Sequence, residues 1–263
     1  MSAPLIALIS DFGTQDHYAG TMKGVILGIC PGTTLVDITH EIPAHDVLTG
    51  ALQLAAAYRY FPAGTIFLAV VDPGVGSSRR GIAAEAAGYR FVAPDNGVLT
   101  AVFRDEAPRK VVELTERRYA RPTVSRTFEG RDRFAPAAAW LAKGIQLSAF
   151  GRPAGSYIQL DLPAPQVSDD LLSGEVVVVD RFGNLVSNID RRTFEAFARN
   201  GPVRIVTEGE PVARLVSTYT EIGPGELCAL FGSSDHLELA VNTGHAGREM
   251  GGRRGSRIEV RRN

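Results

Sequence analysis

Three short apolar runs in the first hundred residues each end in a loop that carries a carboxylate close to a glycine. The polar side chains at these run ends are Asp11, Asp72, Asp95 and Asn96. Carboxylates accept hydrogen bonds and take up protons, and a nearby glycine lets a ligand approach the backbone closely. Aspartate is also frequent in turns and helix caps for purely structural reasons. One such loop is equally consistent with either role, whereas three at one sheet edge favour a ligand site.

The most informative loop runs from Asp72 to Arg80 with the sequence Asp-Pro-Gly-Val-Gly-Ser-Ser-Arg-Arg. Its proline and glycines predict a tight turn, and Arg79 returns a guanidinium seven residues after the first carboxylate. This pair either braces the turn or holds opposite charges beside a ligand. The loop after the first run could instead offer the two oxygens of Asp11 to a ribose diol. No loop has Walker or Gly-x-Gly-x-x-Gly spacing, so a phosphate cradle is not indicated.

A third charged segment, residues 127–136, stands directly before a predicted helix at Ala137–Lys143. Charge runs are usually solvated, but this one contains Glu129 and Gly130 between two phenylalanines, which favours the wall of a site. The five histidines do not form a spaced ligand set, so we expect no metal. We also expect no cofactor. His45 is considered only as a wall residue.

Strands and helices alternate in the first 160 residues. Short apolar runs predict strands, and apolar residues at helical spacing predict helices. The strands are expected at Leu5–Ile9, Thr34–Thr39, Thr65–Val71 and Phe91–Ala93, and the helices at Ala19–Ile29 and, capped by Asp46, at Val47–Arg59. This alternation predicts an α/β domain with a largely parallel sheet, in which ligands bind at the carboxyl ends of the strands.

The pattern changes after residue 160. Two prolines and two aspartates mark residues 163–173 as a linker between an N-terminal domain, residues 1–162, and a C-terminal domain, residues 174–263. Short apolar runs separated by turns predict that the second domain is a smaller, all-β, antiparallel barrel or sandwich. Those runs are Glu175–Asp180, Val203–Thr207, Val212–Thr218, Leu227–Phe231, Leu237–Val241 and Arg257–Val260.

Composition excludes several classes of protein. The 263 residues are 44% hydrophobic and 22% charged, and their net charge of −1 gives no general attraction to nucleic acid or anionic membranes. The longest apolar run, Ile66–Val71, is far shorter than the ~20 residues of a membrane helix. The first residues lack a basic segment, and the two cysteines are far apart in sequence. We therefore expect a cytoplasmic protein without a secretory signal or disulfide framework.

Taken together and in order, these motifs resemble the S-adenosyl-L-methionine (SAM) hydroxide adenosyltransferases, relatives of the fluorinases and chlorinases. The resemblance runs nearly end to end and rests on Ser10–Gly13, Val71–Gly76, Ala93–Gly97, Phe128–Pro136, Asp180–Asn184 and Ser233–Asn242. It implies an α/β domain joined to a β-barrel, and a homotrimer whose ligand sites lie between subunits. The implied reaction is hydrolysis of SAM to adenosine and L-methionine.

The resemblance also implies which residues contact the substrate and the product adenosine. Asp11 would hold the ribose hydroxyls, while residues of the second domain would bind the methionine and adenine groups, with Tyr219 stacking on the adenine. The residues expected to contact the ligand are Asp11, Asp95, Asn96, Asp180, Asn184, Tyr219, Ser233 and Asn242.

The catalytic residues implied by the resemblance are Asp72, Arg79 and Glu129. The first two match an Asp–Arg–His set beside the attacked carbon, and Glu129 stands where the family has histidine in Phe-His-Gly-Arg-Asp. Asp72 would orient a water or accept its proton, and Arg79 would stabilise hydroxide character. Glu129 would act as a base in place of the histidine, or would only pair with Arg79.

Other functions stay open on the sequence alone. A halogenase of the same fold would need a dry halide site, and the Asp72 carboxylate would repel a halide and retain water. A non-catalytic protein that binds SAM or adenosine is the second alternative, and Glu129 is the best argument for it. A nucleic-acid methyltransferase is disfavoured, because the sequence predicts no broad basic face interleaved with aromatic residues outside the six arginines of residues 248–263.

Overall fold

The computed structural model describes residues 3–262, and the chain divides into two compact units between Asp161 and Leu162. Within these described residues, no helix combines the length and apolar character needed to cross a membrane. Each unit contains its own sheet and its own hydrophobic core.

The first unit is built on one sheet covered by helices. Its strands are β1 (Leu5–Ser10), β2 (Thr34–Thr39), β3 (Ile66–Val70), β4 (Gly81–Ala86), β5 (Tyr89–Pro94) and β6 (Lys110–Glu113). Its helices are α1 (Tyr18–Ile29), α2 (Val47–Ala57), α3 (Thr100–Asp105) and α4 (Ala135–Ala142). The strand order is β2-β1-β3-β5-β4-β6, and the first four strands in that order pair in parallel. The predicted α/β domain with a largely parallel sheet is confirmed.

Both faces of this sheet are buried, which explains why its strands read as continuous apolar runs. Side chains alternate between the faces along β1, so that Leu8 packs in one core with Met22 of α1 while Ile9 packs in the other with Leu54 of α2. The α2 helix begins where the sequence predicts, since Asp46 accepts a hydrogen bond from the backbone N–H of Thr49 at 3.1 Å.

The hairpin of β4 and β5 was not foreseen, and it determines where the arginines of the Asp72–Arg80 loop lie. β4 runs antiparallel to β5 and to β6, so it begins at the edge where β3 and β5 end. Arg79 and Arg80 immediately precede β4, and they therefore return to the edge that carries Asp72 and Asp95.

The second unit is a nearly closed antiparallel sheet, which confirms the predicted all-β, barrel-like domain. Its strands are β7 (Gln166–Val167), β8 (Leu171–Val179), β9 (Leu185–Asp190), β10 (Val203–Thr207), β11 (Glu210–Val212), β12 (Leu227–Phe231), β13 (His236–Val241) and β14 (Arg257–Arg262). The order is β11-β10-β14-β8-β9-β13-β12, with β7 paired to β8. The segment predicted as a linker, residues 163–173, therefore contains β7 and the beginning of β8.

Several elements of the second unit differ from the sequence expectation, and β9 (Leu185–Asp190) lies outside every predicted run. The strand predicted at Val212–Thr218 is wrong: β11 ends at Val212, and the following loop makes only an isolated bridge between Leu215 and Ala229. An unpredicted helix, α5 (Arg191–Ala198), begins at Asp190, whose carboxylate accepts the Thr193 N–H at 2.8 Å. A short helix, α6 (Ala246–Glu249), follows β13.

Candidate active site

Asp72, Arg79 and Glu129 form one hydrogen-bonded ionic cluster at the carboxyl edge of the first sheet. Arg79 Nε donates to Asp72 Oδ1 at 2.8 Å, while Arg79 Nη2 donates to Asp72 Oδ2 and, at 2.7 Å, to Glu129 Oε2. The side chains are 5%, 9% and 12% exposed for Asp72, Arg79 and Glu129. Burial lowers the pKa of Arg79, but the hydrogen bonds and charges of Asp72 and Glu129 outweigh it and raise that pKa above its ordinary value. Such charge-assisted, bidentate pairing fixes the guanidinium rigidly.

The loop between Asp72 and Arg79 is held by its own backbone and by neighbours. Gly76 has φ of +76°, and a Cβ there would lie 2.2 Å from the carbonyl oxygen of Arg126, so only glycine fits this position. Beneath the guanidinium, the ring of the fully buried Phe134 has its centroid 5.0 Å from Arg79 Cζ. Aromatic packing and ion pairing together leave Arg79 little freedom to move.

Glu129 is placed by a π-helical turn, Gly130–Phe134, that leads directly into α4. A Cβ on Gly130 would lie 3.2 Å from the sulfur of Met22 and 3.4 Å from the Val70 side chain, so glycine lets the turn press against α1 and β3. The same Oε2 of Glu129 also accepts from Arg133 Nη1 at 3.3 Å. Of the two roles left open for Glu129, the structure contains the ion pair with Arg79, and a role in proton transfer stays a prediction.

Asp11 lies at the end of β1, which is the neighbour of β3 in the sheet. Its Oδ2 accepts a hydrogen bond from the backbone N–H of His45 at 2.9 Å, and it lines a cavity of about 250 Å³. His45 has φ of +67°, a left-handed conformation that is unfavourable for a residue other than glycine. This strained residue supplies its backbone to Asp11, while its side chain is exposed.

Asp95 and Asn96 have partners inside the first unit. Asp95 is 2% exposed and accepts hydrogen bonds from Arg80 and, at 2.8 Å, from the backbone N–H of Ile158. Asn96 donates to the Val71 carbonyl at 2.7 Å and thereby holds the end of the strand that precedes Asp72. These hydrogen bonds give both residues a structural role in the first unit. Their contact with a substrate stays a prediction.

The second unit brings its predicted ligand residues to one cavity of about 810 Å³. They are Asp180, Asn184, Tyr219, Ser233 and Asn242. Asn184 Nδ2 donates to Asp180 Oδ2 at 3.0 Å and lies 3.4 Å from the Tyr219 hydroxyl. The other carboxylate oxygen of Asp180 accepts the backbone N–H groups of Phe182 and Asn184. The loop after β8 therefore holds Asp180 in place while part of its carboxylate borders the cavity.

Sequence reasoning missed one charged residue of this cavity, Glu238 on β13. Burial, and to a lesser degree the negative charge of Asp180, raises the pKa of Glu238 to about 7. Its signal in the sequence was a glutamate between two leucines in a predicted strand. Strand alternation places it opposite Leu237 and Leu239, but does not reveal whether that second face meets solvent or a cavity.

A separate cavity of about 690 Å³ in the first unit contains none of the predicted site residues. Four arginines line it: Arg117, Arg118, Arg121 and Arg133. Among residues 3–262, no group of three or more His, Cys, Asp or Glu side chains is arranged to hold a metal ion.

Known proteins match the chain along nearly its whole length. Residues 6–151 match the SAM hydroxide adenosyltransferase N-terminal domain, and residues 174–259 match the C-terminal domain of that family. An (R)-S-adenosyl-L-methionine hydrolase of Salinispora tropica is 38% identical over 98% of this chain and 97% of its own. A fluorinase of an Actinoplanes species is 31% identical over 91% of each chain.

The fold also matches a solved structure. An uncharacterized conserved protein from Thermotoga maritima superposes with a TM-score of 0.91 and 36% identity, covering 98% of this chain and all of the other. Both domain matches, the full-length relatives and this structure confirm the resemblance carried by the motifs, and the chain belongs to the SAM hydroxide adenosyltransferase family.

Proposed function

We propose that this protein hydrolyses SAM to adenosine and L-methionine by in-line attack of water on the 5′ carbon. The observation that carries the proposal is the buried Asp72–Arg79–Glu129 cluster, which supplies a rigid carboxylate and guanidinium at the sheet edge where ligands of such folds bind. The names of the hydrolases that match at 36–38% identity support the same reaction.

The chemistry suits a buried site. Hydroxide attacking a sulfonium annihilates charge in the transition state, so removal from bulk water favours the reaction. Each Asp72 oxygen accepts from Arg79 and has a further lone pair with which to orient a water or take its proton. The Arg79 guanidinium then stabilises the hydroxide character that develops on that water.

Substrate binding is divided between the two units of the chain. Asp11 holds the ribose hydroxyls, and the cavity that contains Asp180, Asn184 and Ser233 receives the methionine end. Because these residues belong to different units, we propose a homotrimer whose sites are shared between subunits. We also propose that this homotrimer is cytoplasmic. Mixing inactive Asp11→Ala and Asp180→Ala chains under conditions of subunit exchange should restore part of the activity through hybrid sites. Full exchange without recovery would overturn the shared site.

Oxygen-18 water tests the reaction itself. The purified protein should convert SAM to adenosine that carries one heavy oxygen at the 5′ position, without added halide. The relatives' names specify the (R) epimer at sulfur, so the two sulfonium epimers should be assayed separately. Asp72→Asn should lower kcat by about 10²–10⁴-fold, because the amide keeps the shape of aspartate but cannot take a proton.

A halogenase is the second candidate, because fluorinases also match the chain. It would give 5′-halogenated product only when fluoride or chloride is added, and this product would carry no solvent oxygen. Product that depends on halide would overturn the hydrolase proposal. Ligand binding without any product would instead identify a non-catalytic SAM-binding protein.

A further inference from the structure

We propose that the cavity of about 690 Å³ in the first unit binds a phosphate chain, either free as pyrophosphate or as part of a nucleotide. Arg133, which lines this cavity, links the bound chain to the Asp72–Arg79–Glu129 cluster. The cavity contains none of the residues assigned to SAM, so its ligand binds at a second site. Binding of the phosphate chain does not depend on the proposed hydrolysis.

The wall of this cavity carries a local excess of positive charge. Its charged residues are four arginines and one carboxylate, that of Glu116, which leaves a formal charge of +3 on the wall. The whole chain, by contrast, has a net charge of −1. Guanidinium forks match pairs of phosphate oxygens. A single carboxylate ligand would compensate only one of these charges, whereas a chain of two phosphates can compensate all of them.

Two of the four arginines have little compensation from the protein. The exposed Arg117 side chain forms no hydrogen bond or ion pair with any other residue of 3–262. Arg118 Nε lies 3.7 Å from Glu116 Oε2, and both side chains are exposed to solvent. An exposed pair at this distance is weak. Both guanidinium groups are therefore free to bind an anion.

Arg121 shares its carboxylate partner with another arginine. Its Nε lies 3.1 Å from Asp132 Oδ1, but the fully buried Asp132 also accepts two hydrogen bonds of 2.7 Å from Arg131. Arginine has five N–H donors, and the Arg121 side chain is 48% exposed. Arg121 can keep its contact with Asp132 and still donate to a ligand through its Nη groups.

The walls of the cavity are fixed to one another before a ligand binds. Tyr119 ends a short 3-10 turn, residues 117–119, and its ring packs on the buried Phe150 ring with a centroid distance of 4.7 Å. The backbone N–H of Arg121 donates to the Asp132 carbonyl at 2.8 Å, which joins this loop to the π-helical turn. A preformed site of this size falls in the range of small-molecule sites and loses little conformational entropy on binding.

The phosphates, not a nucleobase, are expected to supply most of the binding energy. The Tyr119 ring is occupied, because it packs against Trp140 and Phe150 and because Arg118 Cζ lies 5.0 Å from its centroid. A base would have no free ring of Tyr119 on which to stack. We therefore expect pyrophosphate to bind about as tightly as ADP.

Arg133 belongs both to this cavity and to the cluster at the sheet edge. Its Nη1 donates to Glu129 Oε2 at 3.3 Å, and the same oxygen accepts from Arg79 Nη2 at 2.7 Å. A phosphate in the cavity competes with Glu129 for the Arg133 guanidinium. Removal of the Glu129 charge should therefore strengthen phosphate binding.

Calorimetry on the full-length protein tests the site without SAM. We expect sodium pyrophosphate to bind once per chain, and more weakly at high salt, because salt screens exposed charges. Arg117→Gln removes no contact within the described protein and should weaken binding about 10–100-fold, the range for a hydrogen bond between charged groups. Arg109→Gln, which removes an 81% exposed guanidinium outside the cavity, is the matched control and should bind pyrophosphate like the wild type. Glu129→Gln should bind it about 5-fold more tightly.

ADP and adenosine complete the experiment. ADP binding at equal or lower affinity than pyrophosphate identifies the free chain as the ligand, and tighter binding of ADP identifies a nucleotide; both results support the site. No saturable binding to the wild type, an unchanged affinity in Arg117→Gln, or competition by adenosine would overturn it. An unchanged affinity in Glu129→Gln would overturn the link through Arg133. Failure of the hydrolysis proposal is seen separately, as pyrophosphate binding by a protein that forms no product from SAM.

Discussion

Both units place two acidic side chains at a candidate ligand site, but the charges that face those acids differ. In the first unit Asp72 and Glu129 share the Arg79 guanidinium, and Arg133 adds a second cation. In the second unit Asp180 and Glu238 border a cavity without any cationic wall residue among the described positions. The acids of the first cluster are paired with guanidinium groups of the protein, whereas the cavity of the second unit has no such cation among its described wall residues.

This difference matches the work proposed for each region. A reaction site gains from dipoles and charges that are fixed in advance, because no reorganisation is then needed in the transition state. A recognition site gains selectivity from a buried group that only the correct ligand satisfies, because other ligands leave that group unpaired. The comparison can be tested by removing the cation in one region and the acid in the other.

The largest effect on stability is expected from Arg79→Gln. It leaves two buried carboxylates side by side, and breaking a buried pair in this way costs about 3–5 kcal/mol of unfolding free energy. Urea denaturation at pH 7 measures the loss, which should shrink as acid protonates the carboxylates. As a control, Arg109→Gln removes a guanidinium that is 81% exposed and 3.9 Å from its partner, Glu85. That change should cost less than about 1 kcal/mol of unfolding free energy. An equally small loss for Arg79→Gln would refute the claim that Arg79 compensates the charges of two buried carboxylates.

Removing the unpaired acid of the second unit should act in the opposite direction. The pKa of Glu238 is about 7 in the folded protein against an ordinary 4.5, so the folded state binds more protons between these values. Wild-type stability therefore falls as pH rises through this window. Glu238→Gln removes that penalty and should stabilise the protein by up to about 3 kcal/mol at pH 8, with little effect near pH 4.5.

Denaturant titrations of wild type and Glu238→Gln at several pH values measure this difference. Glu210→Gln, at an exposed position of the same unit, is the matched control and should follow the wild-type curve. A destabilised Glu238→Gln at pH 8 would mean that the carboxylate has a stabilising partner, contrary to the comparison.

The Asp11 carboxylate is intermediate between the paired acids of the first cluster and the unpaired acid of the second unit. It has a hydrogen-bond donor, but that donor is the neutral backbone N–H of His45. Asp11→Ala should weaken both SAM and adenosine binding by about 1.5–3 kcal/mol, the range for hydrogen bonds to a charged acceptor. Calorimetry on both ligands checks this, and unchanged adenosine affinity would exclude Asp11 as the ribose ligand.

Part of this arrangement follows from sequence because its determinants are local. Asp72 and Arg79 are joined by a tight loop with glycine and proline, so their proximity could be expected from spacing. The parallel strands β1 and β3 were visible as apolar runs, and they place Asp11 and Asp72 at the same edge. Glu129 lies fifty residues away from Arg79 in sequence, and only the family resemblance connected the two.

Other features depend on tertiary contacts that a single sequence does not show. The β4 strand is rich in alanine and carries little strand signal, although it returns Arg80 to Asp95. The apolar run after Val212 resembled a strand but forms a loop beside the cavity, where Ser217 and Thr218 are wall residues. Glu238 was missed because strand alternation fixes a side chain's face but not what lies against that face.

The smallest effect is expected from Glu129→Gln, and it decides how Glu129 contributes to the first cluster. Glutamine keeps a carbonyl oxygen that can accept from Arg79, but it removes the negative charge that also pairs with Arg133. If Glu129 only positions Arg79, kcat should fall less than about 10-fold with KM nearly unchanged, because Asp72 still holds the guanidinium with two hydrogen bonds.

A role for Glu129 as the general base predicts a different result. The loss in kcat would then reach the 10²–10⁴-fold expected for Asp72→Asn, and the acidic limb of the pH–rate profile would disappear. Steady-state kinetics from pH 5 to 9 on both variants separate these cases, with Glu116→Gln, a half-exposed glutamate paired at 3.7 Å with Arg118, as the control. Since Oε2 of Glu129 already accepts from two guanidinium groups, we expect the smaller loss, which would make Asp72 the carboxylate that manages the water.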